Sequence, residues 1–460
     1  MACLSLSILL SSLGTSIANV GLPALAQAFT ASFQQVQWVV LAYLLAITTV
    51  IVSVGRLGDL VGRRRLLMAG IWLFTIASAL SAFATTLGLL IVARAAQGLG
   101  AAVMMALAMA FVGDTIPKAK TGSAMGLLGM MSAMGTALGP SLGGLLIAMF
   151  GWPAIFLVNV PLGILALLFA QHYLPVDGQK SKTEQAGFDA VGTLVLVLTL
   201  AAYALAMTMG RGRFGLLNMV LLLSALVGVA LFVLVEKRAA SPLIRLVMLR
   251  NPVLSGGFAT SALVATVMMA TLVVGPFYLA RSLGLGAAGV GIVLSTGPLV
   301  AVLTGVPAGR CTDRFGTYRM TIVGLIGMAV GATILALLPT QFGITGYAVP
   351  IAVITAGYAL FQAANNTAVM TDIRPEQRGV VSGMLNLSRN LGLITGASVM
   401  GAVFALAAGT IDMTTAAPEA VASGMRITFI VAALLIVGAL AVTVGSQALA
   451  ARRSPSGDRC

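Results

Sequence analysis

Polar residues in this chain gather into short clusters, and between them run long stretches whose apolar side chains leave no helical face for water. A helix apolar all round must be buried or sit in lipid, and a bilayer core of about 30 Å needs roughly 20 such residues. On that criterion fourteen spans are predicted, the first six over 2–27, 37–55, 66–86, 88–112, 122–149 and 153–174. Two more cover 188–209 and 216–235, and the last six cover 253–280, 286–308, 320–339, 345–371, 380–408 and 425–449. The opening MACLSLSILLSSL has no basic n-region and no persuasive small-x-small cleavage context, so it reads as span one rather than as a signal peptide.

The polar clusters repeat. Gly55, Arg56, Asp59, Gly62 and Arg65 recur as Gly309, Arg310, Asp313, Gly316 and Arg319, an offset of 254. Further on, Ile116, Gly122, Gly126, Gly135 and Gly139 recur as Ile373, Gly379, Gly383, Gly392 and Gly396, an offset of 257. Two units of six spans are therefore expected, and the stretch between them, which has no counterpart, is an insertion. The predicted organisation is a six-helix bundle over 1–175, a linker with two extra membrane helices over 176–250, a second six-helix bundle over 251–449 and a cytoplasmic tail over 450–460. Parallel repeats with a site between them at the bilayer midplane are the layout of a secondary transporter.

Composition strengthens the membrane reading: 59% of residues are hydrophobic, 8% are charged and the mean hydropathy is +1.06, which excludes a soluble enzyme. The net charge of +14 would suggest nucleic acid in a soluble protein. Here it follows topology, because 20 of the 26 basic residues fall on alternate loops and the termini, whereas the opposite loops hold only Arg211, Arg213 and Arg281. By the positive-inside rule the Arg-rich loops and both termini are cytoplasmic, and the chain is expected as a multi-pass protein of the cell (inner) membrane. Cys3, Cys311 and Cys460 lie too far apart for a zinc cluster or a disulfide framework read from neighbours. No metal or cofactor is expected. Nor does the chain offer a His/Cys pair or a buried carboxylate dyad for an enzyme's chemistry.

Three motifs resemble those of the major facilitator superfamily. Gly55, Leu57, Asp59, Gly62, Arg63, Arg64 and Leu67 fit its loop between spans two and three. Leu90, Arg94, Gln97, Gly98, Gly100, Ala101 and Ala102 fit its span-four motif. Gly126, Gly135, Gly139, Pro140, Gly143 and Gly144 match the span-five motif typical of its antiporters. With Asn19, Leu22 and Pro23 in span one, the chain is similar to the fourteen-span drug:proton antiporter branch. The resemblance implies an all-α integral membrane protein of the major facilitator fold, two six-helix bundles plus two inserted helices. It also implies export of amphipathic drugs or toxic small molecules by alternating access, with the proton gradient as energy source. The partners expected are a small-molecule substrate and the lipid bilayer, with no nucleic acid, and the protein is expected to be a monomer.

Individual residues carry further expectations. Asp59 can pair with Arg63 or Arg64 or cap a helix N-terminus, forming a latch on the cytoplasmic side with Asp114 and Lys118 nearby; Asp313 and Arg314 repeat it. The plainer reading of both loops is topological charge. Arg94, deep in an apolar run, costs at least about 2.5 kcal/mol on insertion scales, so it is expected to face the bundle interior, with Gln97 one turn on, and to serve coupling. Arg389 invites the same argument nearer the cytoplasmic end, where snorkelling is open to it. Gln362, Asn365, Asn366, Asn386 and Asn19 either line the substrate cavity or make helix-packing hydrogen bonds. Methionines at Met104, Met105, Met109, Met130, Met131 and Met134 suit either a pliant pocket or plain packing.

One position departs from the branch. Its usual span-one acid, five residues before the Asn, is Gly14 here, and all 12 acids fall in loops or at span ends. A proton carrier and a counter-charge for cationic drugs are thereby missing from the membrane interior. The alternative function is an exporter or carrier of a neutral or anionic metabolite, and Gly14→Asp is expected to shift selectivity toward cations.

Overall fold

Backbone N–H and C=O groups in hydrocarbon must be satisfied within their own segment, and a helix does this without a partner. In the computed structural model the described residues are 1–31, 33–117, 120–174, 189–209, 215–239, 246–285, 287–337, 339–371, 373–374, 377–409 and 417–453. Among them there is no strand. The first bundle contains α1 (Ala2–Ala28), α2 (Phe33–Val61), α3 (Arg63–Ala82), α4 (Leu87–Thr115), α5 (Thr121–Phe150), α6 (Ala154–Leu157) and α7 (Asn159–Tyr173). Next come α8 (Ala190–Met209) and α9 (Leu216–Arg238). The second bundle contains α10 (Pro252–Phe277), α11 (Ala287–Leu294), α12 (Thr296–Phe315), α13 (Thr317–Leu337), α14 (Gly343–Met370), α15 (Arg378–Ala408) and α16 (Pro418–Arg453). Eleven stretches among the described residues are long and apolar enough to cross a membrane, while Trp38–Ile51 and Val191–Met207 are shorter apolar helices.

Two of the stretches predicted as unbroken are interrupted, and proline explains both. Pro161 has no N–H for the Leu157 carbonyl and Pro298 none for that of Leu294. The chain accordingly breaks between α6 and α7 and between α11 and α12. Between α9 and α10, Leu246–Arg250 forms a 3-10 turn.

Packing repeats between the bundles. In the first, α1 packs on α5, α2 on α4, α3 on α4 and α7. In the second, α10 packs on α15, α12 on α14, α13 on α14 and α16. The correspondence reaches single atoms: Ser16 Oγ donates to the Gly135 carbonyl at 3.0 Å, and Thr266 Oγ1 donates to that of Gly392 at the same distance. A Cβ on Gly100 would stand 2.7 Å from the Gly70 carbonyl oxygen, and one on Gly357 would stand 2.7 Å from that of Gly324. Gly62 and Gly316 close the tight links α2–α3 and α12–α13 with φ of 108° and 88°, a region L side chains rarely adopt.

The halves meet along two equivalent seams, α2 against α15 and α5 against α12. The insertion breaks this equivalence. Helices α8 and α9 pair with each other, and α8 lies on both α2 and α15. It is fastened to the second half: Tyr203 Oη bonds Thr395 Oγ1, and Ser398 Oγ donates to the Met207 carbonyl. Many side chains of α9, among them Leu216, Leu223 and Leu226, are exposed and apolar, as lipid-facing residues are.

Candidate functional site

Arg94 is fully buried inside the first bundle, so snorkelling is excluded for it. Its Nε donates to the Val39 carbonyl of α2 at 3.0 Å, Nη2 to the Gly14 carbonyl of α1 at 3.0 Å and Nη1 to Gln97 Oε1 at 2.5 Å. Gln97 Nε2 continues to Ser78 Oγ of α3 at 2.7 Å. The guanidinium carbon stands 4.1 Å from the centroid of the Tyr43 ring, an arrangement in which the aromatic face helps to hold the charge. One cation thus ties four helices together without a carboxylate among its described partners. The arrangement stiffens the bundle and leaves Arg94 out of the central cavity in this conformation.

The seam between α5 and α12 is built from glycine and one aspartate. A Cβ on Gly309 would meet the Gly122 carbonyl oxygen at 2.5 Å, and Gly126 faces the Gly305 carbonyl and the Gly309 backbone. Only residues without side chains let the two backbones come so close. Where they meet, Asp313 crosses from α12: Oδ1 accepts from Gly122 N at 2.7 Å, and Oδ2 accepts from Ser123 N at 2.9 Å and from Ser123 Oγ at 2.5 Å. The first amides of α5 lack partners within the helix, and Lys120 at its N-cap makes no side-chain cap. Asp313 supplies the missing cap from the other half. Arg314 beside it is exposed, its guanidinium carbon 5.3 Å from the centroid of the Phe315 ring.

The remaining motif residues have different surroundings. Gly55 is buried in α2, Arg63 opens α3, and Arg64 Nη2 donates to the Gln171 carbonyl of α7 at 2.7 Å, tying the loop to its own bundle. The side chains of Asp59, Asp114, Asn19 and Pro140 lie outside the described residues, as does Lys118. Gly135 and Gly139 pack against Leu9, Ser12 and Ser16 of α1, and Gly143 packs against Ile17, whereas Gly144 faces open space.

Between the halves lies a cavity of about 30 Å³, room for a single water. Helices α1, α4 and α5 line it from one side and their repeat equivalents α10, α14 and α15 from the other. Its two walls differ in chemistry. The second half presents Tyr358, Gln362, Asn366, Asn386 and Arg389, and the first presents Met105, Met109, Gly129 and Ser132. These residues are repeat partners: Met105 with Gln362, Met109 with Asn366, Gly129 with Asn386 and Ser132 with Arg389, each at the offset of 257. Repetition has kept the positions and divided their polarity.

Arg389 lies eleven residues beyond the first residue of α15, and Ser132 the same number beyond that of α5, roughly 16 Å along each helix. Its Nη2 meets Ser132 Oγ at 3.3 Å, so it points inward and does not snorkel. Asn386 Nδ2 contacts Met109 Sδ at 3.1 Å and donates to the Ser382 carbonyl at 3.0 Å. Asn365 differs from its neighbour: it is buried away from the cavity and donates to the Gly257 carbonyl of α10 at 3.1 Å. Of the six methionines, Met105 and Met109 line the cavity while Met104 is in the core. Ser132, Ser261 and Tyr358 are cavity residues that sequence reasoning missed. Tyr358 was the findable one, four residues before Gln362 and so on its helical face.

The match to the family model described as Major Facilitator Superfamily runs over residues 4–397. The chain is 30% identical over 402 residues to the riboflavin transporter RibZ of Clostridioides difficile, covering 87% of this chain and 86% of that one. It is 31% identical over 401 residues to the multidrug resistance protein Stp of Mycobacterium tuberculosis, covering 85% and 72%. In structure it is similar to the proton:xylose symporter XylE, with a TM-score of 0.66 at 15% identity over 95% of this chain and 94% of that one.

Proposed function

We propose that this chain, which belongs to the major facilitator superfamily, exports amphipathic small molecules across the cell membrane by alternating access and proton antiport. Membership makes it a multi-pass membrane transporter rather than an enzyme. The observation that carries the export reading is the pair of repeats joined by the Asp313 cap and the α5–α12 glycines at one end of a cavity at mid-depth. That end bears the Arg-rich loops, cytoplasmic by the positive-inside rule, so on this reading the α5–α12 seam is shut on the cytoplasmic side. The α5 glycine ladder and the similarity to the multidrug resistance protein Stp support export. The division into two six-helix bundles, a two-helix linker and a tail, fourteen spans with cytoplasmic termini, and a monomeric protein belong to the same reading.

The test is transport by purified protein in liposomes under an imposed pH gradient, with a panel of neutral, cationic and anionic amphipaths. Gradient-dependent movement of any of them supports the reading; folded protein that moves none would falsify it. A second reading, a carrier of a neutral or anionic metabolite, is favoured by one specific observation: no carboxylate lines the cavity among the described residues. The similarity to a riboflavin transporter agrees with it.

A further inference from the structure

We infer that the cavity selects amphipathic organic anions, holding the anionic edge of the solute, such as a carboxylate, with Arg389 and the amides of Gln362 and Asn366, and its apolar body against Met105 and Met109. The inference rests on the reading of this cavity as the solute site. It starts from a comparison within the molecule. Arg94 and Arg389 are both guanidinium groups deep in helices, but Arg94 has every nitrogen engaged, by two carbonyls and Gln97. Arg389 makes one bond of 3.3 Å, to a serine already shared with Ser12 at 2.9 Å. Most of its N–H donors therefore have no partner among the described residues, and they border the cavity.

A cation held at that depth without counter-charge favours an incoming anion. The planar fork also matches a carboxylate or a carbonyl edge in a way that a point charge does not. Gln362 and Asn366 stand one turn apart on α14, each offering an amide donor and acceptor on the same face. The opposite wall is thioether, glycine and one serine at the repeat-equivalent positions, so a solute with one polar edge and one apolar side matches the division between the halves. A cationic solute would meet Arg389 with no acid lining the cavity to offset it. Methionine side chains can move aside to admit a ring larger than the present void.

The experiment uses two dyes on one xanthene scaffold, anionic fluorescein and cationic rhodamine 6G, titrated against the full-length protein in nanodiscs at pH 8. Fluorescein should bind at least tenfold more tightly than rhodamine 6G. Arg389→Gln should weaken fluorescein at least tenfold and leave rhodamine 6G unchanged or improved, and Arg389→Lys should fall between. Gln362→Ala with Asn366→Ala, which keeps Arg389, should weaken fluorescein by a smaller factor and guards against a folding defect in the arginine variants. Rhodamine 6G binding as tightly as fluorescein, or fluorescein affinity unaltered in Arg389→Gln, overturns the inference. Gradient-driven flux separates it from the export reading. Flux of rhodamine 6G without fluorescein binding sinks the anion class and keeps export; fluorescein binding that depends on Arg389, with no flux of either dye or of any other amphipath in the panel, supports the anion class and sinks export.

Discussion

A guanidinium inside a membrane bundle is held by whatever acceptors surround it, and at Arg94 those acceptors are backbone carbonyls of two other helices. Truncation as Arg94→Ala would leave the Gly14 and Val39 carbonyls and Gln97 without their donor, at a cost of about 3 kcal/mol. The expected outcome is a lower melting temperature in detergent, with transport falling in proportion to the folded protein lost. Arg94→Lys should recover part of the stability, since an ammonium cannot reach three separated acceptors and cover the Tyr43 ring as well. Gly14 enters the same cluster. A Cβ there would stand 3.0 Å from the Tyr43 hydroxyl and 3.4 Å from the Phe74 ring, beside the guanidinium that holds the Gly14 carbonyl. The carboxylate of Gly14→Asp is therefore expected to pair with Arg94, reversing the expectation of a shift toward cations. Resistance assays with mono- and divalent lipophilic cations check this: no gain in protection is expected. The presence of a buried arginine was legible from the span-four sequence, because charge in an apolar run stands out. Its partners were not, because backbone carbonyls occur at every residue and leave no mark in the sequence.

Helix α5 starts without a cap of its own and borrows one. Replacing the borrowed carboxylate as Asp313→Ala leaves the Gly122 and Ser123 amides without it, a loss of about 1 kcal/mol by analogy with ordinary N-caps. Since this contact exists only while the halves are closed at that end, the change should lower the ratio of closed to open forms roughly fivefold. Distance measurements between spin labels on the ends of α5 and α12 would register it as a longer separation; an unchanged distribution would mean that the glycine contacts alone hold the seam. Asp313→Asn should lie between, keeping one acceptor while turning a donor toward Ser123. The repeat made the two aspartate loops legible as a pair and the glycine spacing made α5 legible as a packing helix. What Asp313 touches depended on the other half of the molecule, which spacing along one helix does not encode. The breaks before Pro161 and Pro298 were within reach of sequence reasoning, but hydropathy averaged over a span hides them.

At the level of the whole molecule, two equivalent bundles make two equivalent seams, and the inserted hairpin covers one. Its bonds run to α15, so when the halves rock, α8 is expected to travel with the second half and slide over α2. Removing the two side-chain bonds as Tyr203→Phe with Ser398→Ala should free the hairpin. Crosslinking between cysteines placed on α8 and α15 reports this, with yield falling in the variant and the fold retained. The insertion was legible as a gap in the repeat, whereas its seat on α2 and α15 was not, since lipid-facing and protein-facing leucines look alike in sequence. Seen from the surrounding lipid, this one-sided covering gives the protein a back and a front. A molecule drifting through the leaflet meets the inserted hairpin on the α2–α15 flank and an uncovered, glycine-packed seam on the α5–α12 flank. Exchange between bilayer and interior is expected at the uncovered seam rather than the covered one, and lipids carrying photoreactive tails should mark residues of the α5–α12 seam and spare those of the α2–α15 seam.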